Sequence, residues 1–332
     1  MAVIRDMIPA FELYQPTTVD DAVRLLADHG EEGWVLAGGL DTFDWLKDRI
    51  KRPEAVIDIG GIDELRAIQP TDGGLDIGSM ATLTQVVESP EVNRDFPLLA
   101  KAAGLVATPQ IRNAGTVGGN ISQDTRCWYY RSGWPCYRAG GNICYAAAPQ
   151  SMNREHCILG ASRCVAVNPS DTAPALVALD AVMTVESAGG QRTYDAEDFF
   201  IGPAIDITRM TAMESGDLLT SVRVPNTWVG ARHYFEKIRD RQSWDFSLVS
   251  VASVLKVEGG LIQDARVVVN GVAPYPVRLD VVEATIRGRE PNDQTGELGG
   301  EIAIQGSKAL RHNDYKIALM KNLVKRSIRD AA

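Results

Sequence analysis

All five cysteines of this 332-residue chain lie between Cys127 and Cys164, and no other segment carries one. Cysteines used only for core packing would be scattered, and a secreted disulfide scaffold is smaller and denser in cysteine. The number is also odd. The pattern calls for one local thiol-rich segment, in a reducing compartment, set into a chain that otherwise folds without cysteine. Successive gaps are C-x8-C-x7-C-x12-C-x6-C. Structural zinc sites usually show C-x2–4-C knuckles, and ferredoxins show C-x2-C runs. Neither occurs. On spacing alone, a zinc site, an iron–sulfur cluster and a group of thiols that ligate nothing all stay open.

The length predicts two or three domains with ample core. Basic residues number 34 and acidic ones 43, a net charge of −9. That balance argues against a nucleic-acid binder, which needs a basic face to neutralise phosphate. The longest charge-free stretch, Ala139–Asn153, is too short and too polar for a bilayer span. The opening Met1-Ala-Val-Ile-Arg-Asp has no apolar signal core and no cleavage site. Small molecules and protein partners remain, and the expected compartment is the cytoplasm.

Strand and helix patterns alternate over the first 60 residues. Phe11–Tyr14 reads as a strand stopped by Pro16. Val19, Ala22, Val23 and Leu26 recur at helical spacing, with Thr18 and Asp21 placed as a capping box. Trp34–Ala37 and Ala55–Ile59 read as buried strands, each running into a Gly-Gly pair. Helices are expected at Thr82–Glu88 and Pro97–Ala103, and alternation at Ala178–Glu186 and Leu218–Val224. Pro225 marks the expected domain boundary. Beyond it, Ser250–Val257, Glu258-Gly-Gly and Leu261–Val269 predict a hairpin. Helices follow at Val281–Arg287 and Tyr315–Ile328, the second with Asn313 as its N-cap.

Two glycine loops stand out. Leu36-Ala37-Gly38-Gly39-Leu40-Asp41-Thr42 follows a strand, and Thr116-Val117-Gly118-Gly119-Asn120 sits at a sharp turn of the chain. Glycine lets backbone N–H groups approach a phosphate with no Cβ in the way, and the polar side chains suit ribose and phosphate oxygens. Neither loop is a Walker or Rossmann motif. Each taken singly is equally a tight turn.

The order of motifs carries more. Ala37-Gly-Gly-x-Asp, then Thr108-Pro-Gln-Ile-Arg-Asn-Ala-Gly-Thr-Val-Gly-Gly-Asn, then Asn168-Pro-Ser-Asp, then Gly216-Asp-Leu-Leu-Thr-Ser-Val-Arg-Val-Pro resembles the FAD-binding subunit of the molybdenum hydroxylases. That family includes xanthine dehydrogenases, aldehyde oxidoreductases and carbon monoxide dehydrogenase. The likeness continues through Tyr234–Arg241, Gly271-Val-Ala-Pro and Asn313-Asp-Tyr-Lys. It implies an α+β fold: a vanillyl-alcohol-oxidase (PCMH)-type FAD-binding domain in two α/β subdomains, residues 1–58 and 59–224. A carbon monoxide dehydrogenase flavoprotein C-terminal-type domain follows at 225–332. Both glycine loops are then expected on FAD, with Asp171, Leu219 and Lys237 along the ribityl chain and flavin ring. Asp171 is otherwise a helix cap, Lys237 a solvated strand lysine and Leu219 plain core. Many relatives carry Thr where this chain has Leu40, which leaves only a backbone contact there.

Residues 121–167 form an insert between the second glycine loop and the Pro-Ser-Asp segment, and they hold every cysteine. Asp124-Thr-Arg-Cys127, Cys136-x7-Cys144 and Arg163-Cys164-Val-Ala-Val resemble the insert of 4-hydroxybenzoyl-CoA reductase and related periplasmic aldehyde oxidoreductases. There it carries an additional 4Fe–4S cluster. The resemblance implies Cys127, Cys136, Cys144 and Cys164 as ligands and Cys157 as a spare buried thiol. Trp128, Tyr129, Tyr130, Trp134, Tyr137 and Tyr145 either shield such a cluster or anchor a loop-rich segment. His156 reads as a packed or surface imidazole. The expected function is an electron-transfer subunit with no acid–base catalytic residue. It would serve an external electron carrier, a 2Fe–2S subunit and a large molybdopterin subunit, as a heterotrimer or a dimer of heterotrimers. Export alongside a partner would place it in the periplasm. A free-standing flavin oxidase or reductase and a zinc-stapled interaction module are the alternatives.

Overall fold

The computed structural model describes residues 8–331, so the Met1–Asp6 segment lies outside the described residues. The first 60 residues build a three-stranded parallel sheet from β1 (Glu12–Tyr14), β2 (Gly33–Leu36) and β3 (Ala55–Asp58), in the order β1-β3-β2. Central β3 is a continuous apolar run, as a parallel strand covered on both faces must be. Its Ala55, Val56 and Ile57 are buried, and the helix Val19–His29 packs Ala22, Val23 and Leu26 into the same core. Thr18 caps that helix by accepting from the Asp21 N–H. The Asp21 carboxylate turns to the Thr18 hydroxyl and to Arg24, so the expected capping box is only half formed. A complete reciprocal box instead opens the helix Leu83–Glu88, between Thr82 and Gln85.

A five-stranded antiparallel sheet follows, from β4 (Ile68–Thr71), β5 (Gly74–Gly78), β6 (Val182–Ser187), β7 (Gly190–Asp195) and β8 (Leu218–Pro225), in the order β4-β5-β8-β6-β7. Short helices fill the long passage from β5 to β6. Three of them, Pro90–Asp95, Pro109–Ala114 and Val117–Ile121, are too short to show a hydrophobic period. Ser89 and Thr108 cap the first two, each ahead of a first-turn proline.

The last third is an antiparallel sheet of β9 (Arg232–Ile238), β10 (Val249–Glu258), β11 (Leu261–Asn270) and β12 (Val277–Arg278), ordered β12-β11-β10-β9. The β10–β11 hairpin turns at Gly259 and Gly260, φ +58° and +83°, the doubly positive geometry that favours glycine at both positions. On this sheet lies Tyr315–Arg329, with Met320, Val324 and Ile328 fully buried, flanked by Asp280–Ile286 and Asp293–Ala303. The sequence pattern does not predict Asp293–Ala303, because three glycines lower its helix propensity. They are there for contact: a Cβ on Gly296 or Gly300 would stand 2.6 Å from the Lys325 or Lys321 carbonyl oxygen of the neighbouring helix.

Residues 121–167 have little regular structure beyond the short helix Trp128–Arg131. They are held in place from the C-terminal side. Lys308 N–H donates to the Ile158 carbonyl, Ile158 N–H to the Val272 carbonyl, and Tyr315 Oη to the Arg154 carbonyl. Asn313 is central to this, and it is not the N-cap expected of it; the helix starts after Asp314. Its buried amide donates to the carbonyls of His156 (2.9 Å) and Cys157 (3.1 Å) and accepts from Leu310 N–H (2.6 Å). No described helix is long and apolar enough to cross a membrane.

Asn313→Ala leaves two buried carbonyls and one partly buried N–H without these partners, an expected cost of about 3 kcal/mol. Denaturant unfolding checks the value, and proteolysis within 121–167 should accelerate in parallel.

Candidate functional site

Both glycine loops open onto one cavity of about 690 Å³. The first leaves β2 and the second leads into Val117–Ile121, where the Thr116 hydroxyl accepts from the Gly119 N–H. Their backbones meet their neighbours closely. A Cβ on Gly38 would lie 2.1 Å from the Ala114 carbonyl oxygen, and one on Gly118 would lie 2.9 Å from Ser79. Gly119 differs, since its Cβ would meet only the Thr116 hydroxyl, at 3.0 Å. A side chain there needs the Thr116 hydroxyl to give by a few tenths of an ångström, meets no backbone, and stands on the cavity wall.

Of the residues singled out from sequence, Ala37, Gly38, Gly39, Leu40, Asp41, Thr42, Thr116, Gly118, Gly119, Asn120, Asp171 and Leu219 line this cavity. Leu36 ends β2 behind the loop, and Val117 turns into the core. Lys237 is not on the cavity wall. It stands behind Asp171, whose Oδ2 accepts from Nζ at 2.5 Å, and the same ammonium donates to the carbonyls of Leu105 and Asp245. Lys237 is therefore no solvated strand lysine, and Asp171 caps no helix; Ser170 Oγ takes the Ala173 N–H instead. Burial pushes the Asp171 carboxyl up, against the pull of the Lys237 and Arg239 charges.

The side chains of the loops are largely engaged with protein. Asp41 Oδ1 accepts from Arg126 (2.7 Å) and Arg131 (2.5 Å), and Oδ2 from the Trp45 indole (2.9 Å). Thr42 accepts from the Trp34 indole, and Asn120 from the Ser170 and Thr172 hydroxyls. Two buried polar atoms on the wall have no partner: Asp171 Oδ1 and Ser79 Oγ. A cavity floored by close-packed glycine backbone, with unpaired polar atoms on its wall, fits an extended ligand that carries phosphate and hydroxyl groups. Sequence reasoning misses Ser79, Arg126, Trp244 and Phe246, which also line it. The Arg126 guanidinium lies 4.8 Å from the Phe246 ring centroid. Trp244 has φ +51°, and its N–H reaches the Ala107 carbonyl, itself at φ +40°. No spacing rule marks such loop residues.

All five cysteines are free, with Cys136, Cys157 and Cys164 buried and Cys127 and Cys144 half-buried. Burial raises the Cys127 and Cys157 thiols to about 12, and charge on other cysteines of the insert adds to the effect. No three of the described His, Cys, Asp or Glu side chains are grouped to hold a metal ion. His156 is packed inside, its Nε2 3.3 Å from Cys127 Sγ, and burial with the Lys316 charge lowers it to about 4. The aromatic side chains divide. Tyr129 and Tyr145 stack, Trp134 meets both edge-on and Tyr130 packs on Trp45, whereas Trp128 is 60 % exposed.

Lys237→Met leaves the Asp171 carboxylate buried without its ion-pair partner, and about 3–5 kcal/mol of stability should go with it. Adding Asp171→Asn to that variant should recover part of the loss. Unfolding midpoints of both variants decide it.

Residues 9–227 match the family described as the FAD binding domain in molybdopterin dehydrogenase, and residues 233–331 the CO dehydrogenase flavoprotein C-terminal domain. The aldehyde oxidoreductase FAD-binding subunit PaoB of Escherichia coli is 34% identical over 291 residues, covering 86% of this chain and 87% of that one. The carbon monoxide dehydrogenase medium chain of Hydrogenophaga pseudoflava is 29% identical over 328 residues, 97% of each chain. A solved structure of carbon monoxide dehydrogenase from that organism, lacking the Mo-pyranopterin moiety of its cofactor, superposes with a TM-score of 0.79 over 98% of each chain at 28% identity. A sheet-and-loop scaffold of this kind, matched over nearly its full length, makes the chain a member of the molybdenum hydroxylase and carbon monoxide dehydrogenase family, an oxidoreductase component of the FAD-binding medium-subunit type.

Proposed function

We propose that the chain relays electrons, holding FAD in the cavity between the glycine loops and a 4Fe–4S cluster in the cysteine insert. The observation that carries the first part is the cavity itself, floored by Gly38, Gly39, Gly118 and Gly119, with Asp171 Oδ1 and Ser79 Oγ unpaired on its wall. Bound there, the flavin supplies an isoalloxazine that takes up and gives back electrons singly or in pairs, and the cluster supplies a one-electron relay. The chain's own residues do the rest. The backbone around Gly38–Gly39 and Thr116–Asn120 receives the pyrophosphate and ribityl chain. Asp171, fixed by Lys237, offers an acceptor, and Leu219 an apolar wall. Asp41 acts by holding Arg126 and Arg131 rather than by touching the ligand with a free oxygen.

For the insert, the donor chemistry supports a cluster. The thiols are soft ligands in a buried segment, and thiolate charge there needs metal to offset it. The ligands proposed are Cys127, Cys136, Cys144 and Cys164, with Cys157 packed against Ala146 and Val165 as a spare thiol. Relatives named as medium chains or FAD-binding subunits support partners: a 2Fe–2S subunit and a large molybdopterin subunit, with an external carrier at the other end. The compartment proposed is the cytoplasm, or the periplasm when a partner carries the chain through export. A free-standing flavin oxidase needs a general base at the flavin. The cavity lining contains no histidine, and its buried carboxylate Asp171 is tied to Lys237.

Gly119→Leu should fold and lose most of its bound FAD, as measured by flavin released on denaturation; normal FAD content would count against the cavity assignment. Cys157→Ala should keep full iron and sulfide, while Cys127→Ala, Cys136→Ala, Cys144→Ala or Cys164→Ala should lose the cluster's paramagnetic signal after reduction. Loss in Cys157→Ala with retention in Cys164→Ala would exchange those two residues in the ligand set.

A further inference from the structure

Four aromatic side chains line the cavity between the glycine loops: Trp34, Trp45, Trp244 and Phe246. Three of them are engaged with the protein. The Trp34 indole donates to the Thr42 hydroxyl, and the buried Trp45 indole packs on Tyr130 and donates to Asp41. The Phe246 ring takes the Arg126 guanidinium at 4.8 Å. The Trp244 indole is different. Among the described residues it has no hydrogen-bond, ring or cation partner, and Trp244 is 66 % exposed.

Exposure alone says little, but the backbone says more. Trp244 has φ +51°, in the left-handed region that bulky side chains avoid. Its N–H donates at 3.0 Å to the carbonyl of Ala107, which also lines the cavity and has φ +40°. Its carbonyl accepts from Arg241 at 2.6 Å, and the next residue, Asp245, turns its carboxylate onto the N–H groups of Asp240 and Arg241. Several bonds therefore hold an unpartnered indole at the wall in a strained conformation, and strain of this kind gathers at ligand sites. The loop is also tied to one part of the cavity. The Lys237 ammonium that holds Asp171 donates to the Asp245 carbonyl at 2.7 Å. Asp171 and Leu219 are the residues expected along the ribityl chain and flavin ring, whereas the glycine loops take the pyrophosphate. We propose that Trp244 is a stacking residue for the flavin, its indole set face-on against the isoalloxazine by the loop that carries it. The proposal rests on the FAD reading given above. An electron-rich indole suits a planar, electron-poor isoalloxazine, and stacking takes both faces out of water. Holding the indole in place beforehand lowers the ordering cost of binding.

The experiment uses the whole complex, loaded with excess FAD and then freed of unbound flavin. Trp244→Leu and Trp244→Tyr are compared with the wild type for FAD content and for fluorescence per bound FAD. An indole or a phenol in contact with an excited flavin quenches its emission, and an aliphatic side chain does not. Emission should rise several-fold in Trp244→Leu and stay near the wild-type value in Trp244→Tyr. Unchanged emission in a fully loaded Trp244→Leu, or an equal rise in both variants, overturns the proposal. Should Trp244→Leu fail to hold FAD, an experimental structure of the loaded wild-type complex decides instead. An indole lying flat on the isoalloxazine is expected. An indole on the adenine, or one turned away to solvent, overturns the proposal. A wild-type complex that takes up no FAD at all defeats the FAD reading itself, an outcome distinct from the others.

Discussion

The close approach of backbone to backbone at Gly38 and Gly118 is the constraint on which the ligand cavity depends. With a Cβ, Gly38 would press into the Ala114 carbonyl and Gly118 into Ser79. A side chain at Gly38 would push the first glycine loop off the end of the helix Pro109–Ala114, and one at Gly118 would push the second loop off the residue that follows β5; either opens the floor of the cavity. Glycine is costly here in unfolded-chain entropy, and the return is a tight joint whose outward surface is bare peptide. That joint makes two subdomains with separate sheets into a single binding site.

Charge then ties the cysteine insert to the same joint. Arg126 and Arg131, on either side of Cys127, both bind Asp41 of the first glycine loop. Arg131 also lies 3.8 Å from the Trp45 ring centroid. On the opposite side, Asn313, Tyr315 and Lys316 of the C-terminal domain hold the carbonyls of residues 154–157. A segment with little secondary structure is thus placed by polar ties to both neighbours. Through Asp41, the insert and the first glycine loop are joined by two ion pairs. The two cofactor sites of the proposed relay share one mechanical frame.

Much of the frame was legible in the sequence, because its signals are local. The apolar run of β3, the Gly259-Gly260 turn and the stripe Met320, Val324 and Ile328 each follow from period and turn chemistry. What escaped depends on partners far away in the chain. Asp293–Ala303 reads as a poor helix until the Lys321 and Lys325 carbonyls opposite its glycines are known. Asn313 looks like a helix cap and in fact satisfies carbonyls more than 150 residues earlier. The Asp171–Lys237 pair joins residues 66 apart, and only burial distinguishes that lysine from a solvated one. In the site, the glycine loops were visible because glycine is the signal. Ser79, Trp244 and Phe246 carry no comparable mark, since loop side chains reach a cavity by tertiary placement alone.

The central claim is that one chain holds a flavin and a four-iron cluster together. The visible absorption spectrum of the protein purified without oxygen, read with flavin, iron and sulfide analyses on the same sample, tests it most directly. The account predicts flavin bands over a broad iron–sulfur absorbance, with one FAD, four iron and four sulfide per chain. A flavin spectrum with no iron, or a colourless protein containing zinc, would contradict it.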